Sequence, residues 1–363
     1  RLMLLSTAAA GLVAAAVSPA SAGEVEKSMS VSGHVNRSIV VSDNGEKTTV
    51  SQIDNTNVSG SRFRLVGSAK SESMTIGVTT ELGIQSNGGL GSETAADTTS
   101  LNIRHSFVSV GNDMGTLYVG HTWAADWLAT SNSMSGTGDA GYYDGHTIGG
   151  ENMHAQNNTG TGAGPTVGAI TANFTGYRKN QIKYVTPSMG GFNAEVGFAN
   201  QDRGAASIRY SGDFDGTKVV GTAAWGARSN DFIKAEMGGS IAVSLAGGLN
   251  GSVAYSKRDL SGNTANAGVK DPEMWGAGIG YTAGASGITA WYQNNDDIGT
   301  ASSGAGAVAG NNNDATVVAV VVQHKLSDYG TTLYGGIENV SYDTTATNYD
   351  DLTAGWVGIK VTF

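Results

Sequence analysis

Ile103-Arg-His-Ser-Phe-Val-Ser-Val-Gly-Asn-Asp-Met-Gly-Thr-Leu-Tyr-Val-Gly120 is the stretch on which the reading of the chain turns. Apolar and polar residues alternate on both sides of Asn112-Asp-Met114, and a period of two belongs to strands. Asn and Asp, with Gly115 beyond them, supply turn chemistry. The stretch predicts a hairpin of two strands, Thr99–Gly111 and Gly115–Trp123. In the first of them Leu101, Ile103 and Phe107 fall on one face, and Asn102, Arg104 and Ser106 on the other.

The pattern stops after Trp123. Ala124 to Gly176 is a run of 53 residues rich in Gly, Asn, Ser and Thr, with acids at Asp126, Asp139, Asp144 and Glu151. Tyr177-Arg-Lys-Asn-Gln-Ile-Lys-Tyr-Val185 then reads as a strand again. Elsewhere alternation recurs, and the whole chain gives sixteen candidate strands, beginning with Ser28–Val41 and Ser61–Lys70 and ending with Gly330–Tyr342 and Asp351–Phe363. Short connections such as Ser71-Glu72, Ala246-Gly247 and Gly284-Ala285 tend to alternate with long ones such as Ser42–Gly60, Ser86–Thr98 and Asp296–Asn313. Tight turns at one end and long loops at the other are what an up-and-down membrane barrel gives.

Composition agrees. The chain holds 54 Gly, 4 Pro and no Cys, and its mean hydropathy is −0.15. No stretch beyond the leader reaches the roughly 18 apolar residues of a membrane helix. A barrel strand alternates lipid-facing and lumen-facing residues, so it spans a bilayer with near-zero mean hydropathy. Closing the sheet pairs every backbone N–H and C=O without leaving an edge in lipid. The net charge of −10 argues against nucleic acid, whose phosphates call for Lys and Arg patches. Residues 1–22 carry an apolar run and end in Pro19-Ala-Ser-Ala22, the small residues a signal peptidase needs, so they read as a signal peptide. The fold expected of residues 23–363 is an all-β, sixteen-stranded antiparallel transmembrane barrel. Tyr118, Trp123, Tyr177, Tyr210, Tyr281, Trp291, Tyr342 and Trp356 lie near strand ends, as interfacial girdle aromatics do. The apolar run Val317–Val322 breaks the alternation. It fits a subunit contact, or an inner face that packs under a loop.

Three stretches resemble the Gram-negative general porins. Asp54-Asn-Thr-Asn-Val-Ser-Gly-Ser-Arg-Phe-Arg-Leu-Val-Gly67 looks like that family's second strand, with Arg64 where Gly is usual. Ile103–Gly120 looks like the hairpin that leads to its constriction loop, with His121 where Arg is usual. The last strand ends in the aromatic Phe363, which resembles the family's signal to the outer-membrane assembly machinery. The resemblance implies an outer-membrane homotrimer in contact with lipid and lipopolysaccharide. It also implies that the third extracellular loop, here 124–176, folds inward and narrows a water-filled pore for passive diffusion of ions and small hydrophilic solutes. Carried over residue by residue, it implies a basic wall of Arg62, Arg64, Arg104, Lys179, Lys183 and His34. Arg178 lies near a basic position, but its alternation with Ile182 turns it outward. The facing loop offers Asp126, Trp127, Asp139, Tyr142, Tyr143, Asp144 and Glu151.

Alternatives stand beside these readings. The three inward arginines line the pore, or they pair with a wall carboxylate such as Glu81; facing lipid at mid-membrane would cost an Arg roughly 2–4 kcal/mol. The excess of carboxylates predicts weak cation preference, because rings of charge set selectivity. Trp123, Trp127, Tyr142 and Tyr143 can stack on sugar rings, which would suit a substrate-specific channel. No cofactor is expected, although Asn311-Asn-Asn-Asp314 and Asp296-Asp297 offer oxygen ligands to a loosely bound divalent cation. An enzyme is not expected. His105 and Ser106 are adjacent in a strand and point to opposite faces, and no G-x-S-x-G elbow occurs.

Overall fold

The computed structural model describes residues 24–54, 56–86, 100–141, 154–156, 163–171, 173–200, 203–228, 233–260, 270–298, 313–344 and 349–363. Sixteen strands form the wall: β1 Glu26–Asp43, β2 Arg62–Lys70, β3 Thr75–Gln85, β4 Ser100–Asn112, β5 Gly115–Trp123, β6 Arg178–Val185, β7 Phe192–Ala199 and β8 Arg203–Phe214, then β9 Thr217–Ala227, β10 Ile233–Ser244, β11 Leu249–Leu260, β12 Glu273–Ala283, β13 Ser286–Asp296, β14 Asn313–Leu326, β15 Thr331–Thr344 and β16 Leu352–Thr362. Each pairs antiparallel with its chain neighbours, and β16 returns to β1 from His34↔Thr362 to Asp43↔Thr353, which closes the barrel. All sixteen match the strands expected from alternation, with small shifts at their ends.

One element was not expected. Thr48–Asp54, inside the first long connection, is a strand. It pairs with the upper half of β1 (Arg37–Asp43), while β2 pairs with the lower half (Glu26–His34). Thr48, Thr49, Val50 and Ile53 are β-branched, so a strand-propensity signal was present.

Alternation sorts the two faces. Val318, Val320 and Val322 are exposed on the outer wall, whereas Val317, Ala319 and Val321 are buried on the inner one. The apolar run is therefore ordinary outside and packs under a loop inside. One hairpin departs from strict alternation. Between β3 and β4 the register slips, so that Glu81 faces His105 while Leu82 faces Ile103. Arg104 is the extra residue, and the bulge lets both Arg104 and His105 point inward. Beyond it the faces are exchanged. Phe107 turns inward, with its ring centroid 5.6 Å from that of Tyr118 in an edge-to-face arrangement, and Ser106 turns outward. The expected placement of both residues was reversed because one unpaired residue shifts everything after it.

The short turns lie together at one rim with Phe363, whose backbone exchanges hydrogen bonds with Gly33 at 2.9 and 3.0 Å. Gly330 closes the turn Ser327–Tyr329 at φ 57°, a left-handed conformation that suits Gly.

Candidate functional site: the constriction

The basic wall converges on one carboxylate. Glu81 on β3 is fully buried on the inner face. Arg64 and Arg104 donate to it through Nε at 2.6 and 2.8 Å, and the Arg62 guanidinium lies 3.5 Å away. Three cations thus share one anion. Arg62 also donates through Nε to the Gly60 carbonyl at 3.0 Å. His34 faces Arg62 across the β1–β2 ladder, with Nε2 3.0 Å from the same carbonyl oxygen. Pairing and lining are therefore not exclusive alternatives: Glu81 positions the arginines, and Arg64 keeps 43% of its side chain accessible.

The wall beyond β5 is more nearly neutral. Lys183 pairs with Glu195 at 2.9 Å, and Glu195 also takes Arg209 at 2.8 Å. Lys179 shares the inward face and lies near Arg228, Asp126 and Glu236. Arg178 stacks on Trp123, 3.5 Å from the ring centroid, and the other face of Trp123 stacks on Trp127 at 3.7 Å and 6°. Arg209, Arg228, Glu195, Glu236, Arg258 and Lys360 were not among the candidates. Period two could have found them, since a charged residue within a spanning strand belongs on the lumen side.

The described part of the long loop runs along the inner wall. Arg209 of β8 donates to the Trp127 carbonyl at 2.8 Å. Asn132 donates to Thr222 of β9 and Ser240 of β10, at 2.9 and 3.1 Å. Thr282 of β12 donates to the Ser135 carbonyl at 3.0 Å, and the hydroxyls of Thr137 and Thr289 (β13) meet at 2.9 Å. Asp139 donates through its backbone N–H to Gln323 of β14 at 2.9 Å, and Trp356 of β16 donates to the Ala140 carbonyl at 3.1 Å. The contacts advance strand by strand, so the loop is folded inward and lies against the lumen wall.

An apolar seat holds it there. Ala140, Val167, Ile170 and Phe174 of the loop pack with Val317, Val321, Val340, Leu352, Trp291 and Trp356 of the wall. Trp291, Tyr342 and Trp356 are thus buried inside the barrel and are not girdle residues. Tyr118 likewise faces inward, with the Lys183 ammonium 5.3 Å from its ring centroid. The seat also encloses Glu338, which is 1% exposed and has no hydrogen-bond partner among the described residues for either carboxylate oxygen.

The two described loop acids do not face the basic wall freely. Asp126 is buried and pairs with Arg228 at 2.6 Å; Arg228 also binds Glu236, which takes Arg258 at 2.7 Å. Asp139 pairs with Lys360. Both carboxylates fasten the loop to the wall behind it. Tyr142, Tyr143, Asp144 and Glu151 lie outside the described residues. The cation preference expected from net charge finds no support in this arrangement, because the two described loop carboxylates are each paired with a cation while the arginines outnumber Glu81. Of the oxygen-rich outer segments, Asp297 accepts from Lys270 at 2.8 Å. Among the described residues, no group of three or more His, Cys, Asp or Glu could hold a metal ion.

A closed antiparallel barrel with a polar, charged interior and a loop folded into it defines a membrane channel. The chain belongs to the Gram-negative porins, whose family model matches residues 6–345. It is a multi-pass β-barrel of the outer membrane that forms a passive channel, and it is not an enzyme. Among solved structures it is similar to an anion-selective porin from Comamonas acidovorans, at 19% identity and TM-score 0.60, covering 93% of this chain and 100% of that one. It is similar to the trimer form of OmpT from Vibrio cholerae, at 14% identity and TM-score 0.57, covering 93% and 99%. A third is OmpF of Salmonella typhi in complex with daunomycin, at 11% identity and TM-score 0.56, covering 92% and 97%. A comparison with curated proteins gives no match.

Proposed function

We propose that the channel is a general diffusion pore for small hydrophilic solutes, that its constriction prefers anions, and that it works as a homotrimer. The observation that carries the selectivity is the local count of charge on the inner wall: Arg62, Arg64, Arg104 and Lys360 stand together against Glu81 and Asp139, while Asp126 is engaged by Arg228. Fixed charge beside low-dielectric walls acts strongly on a passing ion, and the sign at the narrowest point outweighs carboxylates spread over outer loops. A structural neighbour described as an anion-selective porin is in keeping with this sign. Reversal potential across a planar bilayer in a KCl gradient tests it, with the anion-preferring sign expected.

The trimer is supported by the outer wall. Arg37 points outward between Val35 and Ile39 and pairs with the buried Asp54. A charge on a lipid face is costly, so this wall suits a neighbouring subunit better than lipid. The trimer form of OmpT is a fold neighbour in keeping with it. Residues 1–22 serve as the export signal. Phe363, 64% exposed at the short-turn rim, is accessible to the assembly machinery. A substrate-specific channel is the second reading, favoured by the Arg178–Trp123–Trp127 stack. Saturable block of conductance by a sugar would select it; conductance linear in salt would not.

A further inference from the structure

The outer wall of the barrel carries a groove of about 480 Å³ between β12 and β16. Tyr281, Ile288, Val322, Leu333 and Val357 form its sides, and Gly335 leaves part of its floor at backbone level. It begins beside the short turns Gly284-Ala285 and Ser327–Tyr329 and runs away from that rim. Its lower end is polar: Ser286 Oγ and His324 Nδ1 lie 2.8 Å apart, on exposed residues. With the hydroxyl donating to Nδ1, the imidazole proton sits on Nε2, which has no partner among the described residues and serves as a donor.

We propose that this groove is a retained binding site for an inner-leaflet phospholipid, with one acyl chain in the trough and the phosphate on His324 Nε2. Short barrel turns face the periplasm, so the polar end sits at the inner-leaflet headgroup level and the trough points toward the bilayer centre. Tyr281, 50% exposed, stands at the same level, where amphipathic rings favour the interface. The outward Arg37 lies on β1, so the far edge of the groove, Val357 of β16 opposite Ile39, borders the proposed subunit contact, while its other walls on β12 to β15 face lipid. Hydrocarbon in the trough gains with every buried CH2, and a hydrogen bond to an anionic phosphate fixes the headgroup. A neighbouring groove of about 510 Å³, walled by Ile241, Leu245, Leu249, Val253 and Ile279 and with Asn250 and Ser252 in its lining in place of a His–Ser pair, serves as an internal comparison.

The test is native mass spectrometry of the full-length protein purified in mild detergent and titrated with dipalmitoyl phosphatidylglycerol. One retained lipid per chain is expected. Val322→Trp should abolish retention by filling the trough. His324→Ala should weaken it about tenfold, the scale of a hydrogen bond to a charged group. Ile208→Trp, on the outer wall away from the groove, should leave it unchanged. His324 is exposed at the rim, so that variant keeps the test open if Val322→Trp fails to fold. Equal retention by wild type and His324→Ala, equal loss in Ile208→Trp, or a second protein chain in place of lipid would each overturn the proposal.

Discussion

Glu81 shows how one side chain organises a channel wall. Three guanidinium groups need a counter-charge to sit together on neighbouring strands, and Glu81 provides it from between them. Replacing Arg62 and Arg104 together by Ala should move the reversal potential toward cations, because Glu81 would then face Arg64 alone. An unchanged potential would place these residues away from the narrowest point. Glu81→Gln should destabilise the barrel by about 3–5 kcal/mol, the cost of leaving buried charges uncompensated, read as a lower melting temperature in detergent. Glu338 predicts the reverse. It is buried without a hydrogen-bond partner among the described residues, and replacing such a group by an apolar one of similar shape is neutral or stabilising. Glu338→Leu should therefore keep or raise the melting temperature. At this scale the sequence named Arg62, Arg64 and Arg104 correctly as inward, because alternation around Phe63 and Ile103 marks them. It misplaced Phe107 and Ser106, because a bulge is a property of two strands and leaves no period in either one.

The loop is the element on which the channel depends. Alternation ends at Trp123 and resumes after Tyr177, and that gap was plain from the chain. What the gap does was less plain. Its acids read as the pore-facing partners of a basic wall; Asp126 binds Arg228 farther round the barrel, while Asp139 binds Lys360 and lies near Arg62. A carboxylate's partner depends on strands far along the chain, and no local pattern records it. The seat had one legible sign, the inner half of Val317–Val322. Phe174 is 1% exposed in that seat, under the Arg258 guanidinium at 4.7 Å. Phe174→Ala should remove about 3–5 kcal/mol of packing from the seat. The barrel should persist while the loop loosens, so single-channel records should show more frequent closures and the loop should be cut faster by added protease. Records indistinguishable from wild type would mean that the hydrogen bonds along the wall suffice.

At the scale of the whole molecule, sixteen strands followed from period two because lipid outside and water inside impose opposite chemistry on successive residues. The proposed trimer rests on the outward Arg37 with Asp54. Arg37→Ala should weaken association, shifting unheated samples on a gel from the trimer band toward the monomer. Net charge is a poor guide at this scale: −10 for the chain says nothing about where along the pore the charges lie. The most direct test of the account is therefore the reversal potential of the wild-type channel in a planar bilayer under a KCl gradient. A channel governed by Arg62, Arg64 and Arg104 gives the sign of anion preference. A reversal potential with the sign of cation preference would contradict it.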